Sequence, residues 1–269
     1  MKYDPVKRSL GAVFNTTPFL RKIFYHLLNL LLLRSWHIRK ELRKLRNSLP
    51  DAPVILDAGS GFGQYDYTMS MQFPKAKITA VDVKQEQIDD CNAFFERIGR
   101  SERVKFEYGD LTTYQQPDTF DLALSVDVME HIEEDVTVFR NLAASLKKGG
   151  VLLISTPSDK GGSDVHDDHD DSFIEEHVRD GYAIEDIEAK LKAAGFTAIR
   201  SRYAYGTPGK ISWRLSMKWP IRIANAGKLL ILLLPFYYLL FYPIAFVLNI
   251  IDLHTAHKSG TGLIVTAVK

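Results

Sequence analysis

The sequence predicts an α/β protein built on a doubly wound, seven-stranded, mostly parallel sheet, with helices ahead of it and a hydrophobic helical insertion between strands six and seven. Three observations carry this reading. Short apolar runs alternate with helical stretches from Val54 onward, a glycine-rich turn closes the first run, and acidic residues follow the next three. Hydrophobic residues make up 46% of the 269, with 25% charged, which excludes a disordered or low-complexity chain. A net charge of +1 leaves no field for wrapping nucleic acid, so no nucleic-acid partner is expected. The single Cys91 excludes an intrachain disulfide framework and points to a reducing, cytoplasmic setting. The amino terminus, with Asp4 and no apolar core, does not read as a secretory signal.

Taken in order, residues 1–50 read as basic amphipathic helices. Phe19, Leu20, Ile23, Phe24, Leu27, Leu28 and Leu31 recur at helical spacing, and Ile38, Leu42 and Leu45 share the face of a second helix. Arg21, Lys22, Arg34, Arg39, Lys40, Arg43, Lys44 and Arg46 against the lone Glu41 suit either a helix lying on anionic lipid or one packed on the domain with a solvated basic face. Strands follow at Val54–Ala58, Lys77–Asp82, Val104–Glu107, Phe120–Val126 and Val151–Ser155. Between them lie helices at Tyr65–Gln72, Gln85–Ile98 and Glu133–Leu146. Ile184–Ala194 gives a further helix, stopped by Gly195, and Phe196–Tyr203 and Gly262–Val268 the last two strands. The expected division is a core over 51–208, an insertion over 209–260 and a final core strand over 261–269.

The turn Asp57-Ala58-Gly59-Ser60-Gly61-Phe62-Gly63 joins the first strand to a helix, and glycines there let a ligand approach outward-pointing amides. A dinucleotide fingerprint needs glycine at position 64, which is Gln64, so the spacing argues against NAD. Asp82, followed by Val83, ends the second strand, where a carboxylate can accept both hydroxyls of a ribose. Asp110 and Leu111 after the third strand suit an adenine amino group and ring face. Asp127 and His131 follow the fourth. Each acid alone reads as a helix cap or loop carboxylate; together they line the edge where open α/β sheets bind ligands.

With these residues in place, the chain resembles the class I S-adenosylmethionine-dependent methyltransferases, nearest to the ubiquinone/menaquinone methyltransferase type, from about Val54 to Tyr203 and again at the final strand. The resemblance implies S-adenosyl-L-methionine as cofactor and an antiparallel seventh strand beside the sixth. It places Asp57, Gly59 and Gly61 by the methionine moiety, Asp82 at the ribose, Asp110 with Leu111 at the adenine, and Asp127 with His131 closing the site. A cationic cofactor favours such an acid-lined pocket.

A methyl sulfonium is already an activated electrophile, so alignment and water exclusion suffice, with a general base for a hydroxyl or acidic carbon acceptor. Candidate bases are His166, His169 and His177 in the acid-rich loop after the fifth strand, and the resemblance implies that His177, Arg179 and Tyr182 help shape the acceptor pocket. Bare solvation of that loop, or a weak divalent-ion site, are the alternatives. No metal is expected for the reaction.

Leu229–Ile251 carries no charge and is long enough to cross a bilayer, but Pro235 and Pro243 interrupt it, and both ends return to one sheet edge. Short helices or a re-entrant hairpin in one leaflet are expected, flanked by Lys210, Arg214, Lys218, Arg222, Trp213 and Trp219. The reading that follows is a cytoplasmic, membrane-associated methyltransferase with a lipid, quinone-like or other hydrophobic acceptor and an anionic membrane surface as partner. The alternatives are a soluble acceptor with the insertion as lid or dimer contact, and a non-catalytic scaffold.

Overall fold

The structure is a computed structural model that describes residues 17–161 and 178–269. Two helices, α1 (Pro18–Leu31) and α2 (Leu33–Leu45), precede an alternating core of β1 (Val54–Ala58), α3 (Gln64–Gln72), β2 (Lys77–Asp82), α4 (Gln85–Arg97), β3 (Val104–Tyr108) and β4 (Phe120–Val126). A 3-10 turn (Met129–His131), α5 (Asp135–Ser145), β5 (Leu146–Pro157), α6 (Ile184–Ala193) and β6 (Arg200–Ala204) follow. The insertion contains α7 (Thr207–Trp213), a π-helical turn (Arg214–Lys218), α8 (Trp219–Ala226), a 3-10 stretch (Lys228–Leu233) and α9 (Leu234–His254), and β7 (Gly262–Val268) closes the sheet.

The sheet order is β3-β2-β1-β4-β5-β7-β6, with β7 antiparallel to both neighbours and the other pairings parallel. Because β1 to β6 run the same way, the ends of β1 to β4 and the exit of β6 into the insertion share one edge. The central strands are buried nearly throughout, as the continuous apolar runs require of a sheet covered on both faces. Two boundaries differ from the sequence reading by more than two residues. β5 starts at Leu146 because the Lys147–Gly150 stretch continues the strand after a register shift opposite Phe120. Residues 196–199 precede β6 because the Phe196 amide is taken by the Leu191 carbonyl and that of Thr197 by Val268.

The insertion corrects a further expectation. α9 runs unbroken through Pro243, and Pro235 sits in its first turn, where the missing N–H leaves no helical bond unmade. Irregularity falls on the opposite limb instead. Tyr237 Oη and Tyr238 Oη donate to the Leu215 and Ser216 carbonyls at 2.8 and 3.0 Å, so α9 side chains satisfy the backbone of the π-helical turn. The result is a helical hairpin that leaves the sheet after β6 and returns to it before β7.

One buried carboxylate holds that hairpin to the core. Asp252 Oδ1 accepts from His37 Nε2 of α2 at 3.0 Å and from the Tyr205 amide at 3.2 Å. Its Oδ2 accepts from the Gly209 amide at 3.0 Å and lies 3.0 Å from His257 Nε2, which hydrogen-bonds the Asp252 backbone carbonyl at 3.1 Å. The Gly209 amide lies in the first turn of α7, which has no cap of its own, so Asp252 serves as a cap from another helix. A side chain at Gly209 would place Cβ 2.6 Å from Asp252 Oδ2, so glycine is needed for this approach. Arg202 bonds His37 Nδ1 at 3.2 Å; since arginine only donates, His37 is the Nε2–H tautomer. Burial and the Arg202 charge lower its pKa, in keeping with a neutral ring.

Leaving the His37, Tyr205 and Gly209 donors without their buried acceptor costs about 3–5 kcal/mol in all, at about 1–3 kcal/mol for each unsatisfied group. Asp252→Ala is therefore expected to lose about that much in chemical denaturation, whereas Asp51→Ala, at an exposed ion pair, should change stability by under about 1 kcal/mol.

Candidate functional site

The edge formed by the ends of β1 to β4 is built from the glycine turn outward. Gly59, Gly61 and Gly63 all have positive φ (91°, 53° and 78°). A side chain at Gly59 would collide with Val128, whose Cγ2 would stand 2.3 Å away, while nothing lies within 4 Å of the position a Gly61 Cβ would take. The turn thus packs on one side and opens on the other. Asp82 fixes it: Oδ2 accepts the Gly61 amide at 2.8 Å and Oδ1 the Lys84 amide at 3.0 Å. Each oxygen keeps a lone pair for a hydroxyl. Ala58 is fully buried beneath the turn, and Val83 stands exposed beside it.

Asp110 is exposed, and its Oδ1 accepts both the amide and the hydroxyl of Thr112, at 2.9 and 2.7 Å, which lowers its pKa. The carboxylate is thereby oriented, and the neighbouring Leu111 is buried. Asp127 adopts φ of 52°, a conformation that costs a non-glycine residue, and its carboxylate pairs with the Arg34 guanidinium of α2. His131 is exposed at the end of the 3-10 turn. His166, His169 and His177 lie outside the described residues.

Buried acids beneath the turn give the site its charge character. Asp57 and Asp66 are both buried, and Asp57 Oδ2 and both Asp66 oxygens meet no donor. Burial, with Asp82 nearby, pushes the Asp57 carboxyl up to about 7, and burial beside Asp57 pushes the Asp66 carboxyl well above the ordinary carboxylate range. Ser60 Oγ and Ser125 Oγ are likewise buried without partners. Unpaired acceptors beside open space at Gly61 fit a ligand that brings cationic and hydroxyl donors, as S-adenosylmethionine does. Asp57, Ser60 and Gly61 would face its amino-acid moiety, Asp82 its ribose, and Asp110 with Leu111 its adenine.

The sequence reading passed over the residues that hold the turn from outside. Arg21 of α1 donates from Nη2 to the Phe62 carbonyl and to Cys91 Sγ, each at 3.1 Å, and from Nε to Tyr25 Oη at 2.7 Å. Tyr25 Oη in turn donates to the same Phe62 carbonyl. Gln64, which breaks the dinucleotide pattern, donates to Asn29 Oδ1 and Ser35 Oγ at 2.9 Å each. The recurrence of Arg21, Tyr25 and Asn29 at every fourth position of the helix was the available signal. Cys91 packs under this cluster, where burial pushes its thiol up to about 12. Arg179 and Tyr182, expected at the acceptor, instead lock the β4–α5 connection. Tyr182 Oη donates to Asp135 Oδ2 at 2.7 Å, and Arg179 Nη1 donates to the Met129 carbonyl at 2.9 Å.

Comparisons with known proteins agree with this geometry. Residues 55–150 match the family model described as a methyltransferase domain. Phosphoethanolamine N-methyltransferase 1 of Arabidopsis thaliana is 33% identical over 163 residues, covering 56% of this chain and 30% of that enzyme. The chain thus spans less than a third of the length of that curated relative. Phosphoethanolamine N-methyltransferase 2 of Haemonchus contortus, solved with S-adenosyl-L-methionine, superposes with a TM-score of 0.62 at 20% identity over 87% of this chain and 52% of that one. The [4+2]-cyclase SpnF superposes with a TM-score of 0.57 at 20% identity, covering 88% and 81%. Residues 55–150 thus match a methyltransferase domain, and the seven-stranded sheet has the fold of the solved proteins it superposes on.

The raised Asp57 pKa has a pH consequence. A cationic ligand favours the ionised carboxylate, so binding below pH 7 must expel a proton, and affinity should rise with pH by up to about tenfold per unit before levelling above 7. The free protein, whose folded state holds that proton more tightly, should lose stability as pH rises through the same range. Calorimetry of S-adenosylhomocysteine binding in buffers of different ionisation enthalpy measures the released proton, and Asp57→Asn should abolish it. In the same assay Gly61→Arg should block binding, and Asp82→Ala should weaken it by about 1–3 kcal/mol.

Proposed function

We propose that the protein transfers a methyl group from S-adenosylmethionine to a lipid or other hydrophobic acceptor at a membrane surface. The observation that carries this is that two helices over the site are inside out. α1 buries Arg21, Tyr25 and Asn29 and exposes Phe19, Leu27 and Leu30. α9 buries Ala245, Asn249 and Asp252 and exposes Phe236, Leu239, Leu240, Ile244, Val247 and Ile251. A helix on an aqueous surface has the reverse arrangement; polar stripes turned inward and apolar ones outward suit a lipid medium. α1 packs on the domain through this polar stripe, and the face it turns outward is apolar, not the solvated basic face the sequence offered as one alternative.

Leu230–His254 is long and apolar enough to cross a membrane, but its buried stripe rests on α7 and α2, and its end returns to the sheet. Dipping into one leaflet satisfies both facts. α1 holds the Phe62 carbonyl and α9 meets Tyr205 at the end of β6, so the apolar face lies beside the ligand edge.

The bound cofactor would supply an activated methyl group on a sulfonium. The chain would hold its polar ends through Asp57, Asp82 and Asp110, and exclude water under α1 and α2. For a hydroxyl or acidic carbon, His177, His166 or His169 would take the proton; His177→Ala or His166→Ala should then lower turnover about 10²-fold with donor affinity unchanged.

A second reading, a water-soluble amine acceptor, is favoured by the names of the relatives, which are phosphoethanolamine methyltransferases. It outranks the quinone-like acceptor suggested by the sequence resemblance. Incubation with labelled donor, a membrane-lipid extract and free phosphoethanolamine separates the readings. Label is expected in the lipid fraction, and Leu239→Glu/Leu240→Glu, on the outward face, should remove that labelling while sparing S-adenosylhomocysteine binding. Label confined to phosphoethanolamine would overturn the lipid reading.

A further inference from the structure

The face of α2 turned away from the ligand site forms one wall of a groove of about 650 Å³, closed by α1 and by the end of α9. Its basic groups are Arg39, Lys40 and Arg43, with His26 and His254 at its margins, and no acid lines it. Lys40 Nζ donates to the Leu253 carbonyl. Arg39 and Arg43 have no hydrogen-bond or ion-pair partner among the described residues. They stand one helical turn apart, an arrangement of like charges that destabilises a helix left to itself. Burial and the Arg43 charge both lower the pKa of the half-buried Arg39. Glu41, which could have neutralised them, is turned to the other side of α2 and is taken by Lys44 at 3.0 Å and Arg202 at 2.9 Å.

Apolar side chains make up the remaining walls. Ile23, Leu27 and Leu30 come from α1 and Phe246 from α9, and the Trp36 ring meets Phe246 edge-on at 5.1 Å. Leu27, Leu30 and Phe246 are also exposed outward, so the groove opens directly onto the apolar face of α1 and α9. Two unneutralised guanidiniums call for a bidentate anion such as a phosphate, and the walls call for that anion to carry hydrocarbon. A free phosphate would leave the apolar walls wet, and an acidic protein surface would leave them unfilled.

We propose that this groove binds an anionic phospholipid, its phosphate between Arg39 and Arg43 and its acyl chains along Leu27, Leu30 and Phe246. The opposite side of α2, carrying Ser35, His37 and Ile38, is buried against the core, so the groove is separated from the Asp57–Asp82 site by the helix itself. The site is an anchor, and it stands whether the methyl acceptor is a lipid or a soluble amine.

Flotation with phosphatidylcholine vesicles, with and without phosphatidylglycerol, tests it. The wild type is expected to prefer the anionic vesicles. Arg39→Gln/Arg43→Gln should reduce binding to them about 10–30-fold, at about 1 kcal/mol per basic residue, and leave binding to neutral vesicles unchanged. Lys77→Gln/Lys148→Gln removes the same charge at the opposite edge of the sheet and should have little effect. Equal losses in the two double variants would mean diffuse attraction and overturn the proposal. So would a wild type indifferent to phosphatidylglycerol, or displacement from the vesicles by glycerol 3-phosphate at comparable concentration. Unchanged S-adenosylhomocysteine binding and thermal unfolding confirm that the variants remain folded, and separate a failure here from a failure of the methyl-transfer reading.

Discussion

The arrangement of helices over the ligand edge depends on the burial of one charge, the Asp252 carboxylate. It sits wholly out of water, late in an apolar helix, and accepts three donors from three places, α2, the residue after β6 and the start of α7, with His257 of the turn before β7 beside it. A desolvated charge is tolerable only if every donor stays in place, so this carboxylate penalises any movement of the hairpin against the core. The cost of burying it is offset by definition of position, not by net stability. The Arg202–Glu41 pair extends the same network outward along α2.

Rigid mounting matters because the surfaces it presents are opposed in character. α2 turns Arg34 towards Asp127 and the Tyr205 hydroxyl, which accepts the Arg34 amide at 2.7 Å, both residues being in left-handed backbone conformations at the ends of strands. Its other side carries the basic groove. The same thin layer of helix therefore separates an acid-lined pocket suited to a cationic cofactor from a cationic groove suited to an anion. If the layer shifted, each ligand would meet the wrong field.

The core was legible because its signals are local. Strands β1, β2, β4 and β7 coincide with their apolar runs, and the acids at their ends fall at the edge where the order of turns put them. The orientation of α1 was not legible in the same way. Hydrophobic periodicity identifies a helix and two faces, but the assignment of the apolar face to the core assumes water outside; Phe19 and Leu27 point outward because polar Arg21, Tyr25 and Asn29 have backbone and side-chain partners inside. Asp252 was hidden for a related reason. A single acid at the end of an apolar segment looks like its boundary, and only the fold brings His37, Gly209 and His257 to it. Pro243 misled because its usual penalty was read as a break, whereas the helix continues past it.

Cys91 turns the clamp over the glycine turn into something observable. Its thiol lies beneath Arg21 and within 3.8 Å of the Gly61 carbonyl, and burial keeps it protonated and unreactive at neutral pH. It is the sole cysteine of the chain. A thiol reagent can therefore modify the protein only when its cover opens, so the rate of labelling reports opening of the structure around the glycine turn, α1 included, and requires no engineered probe.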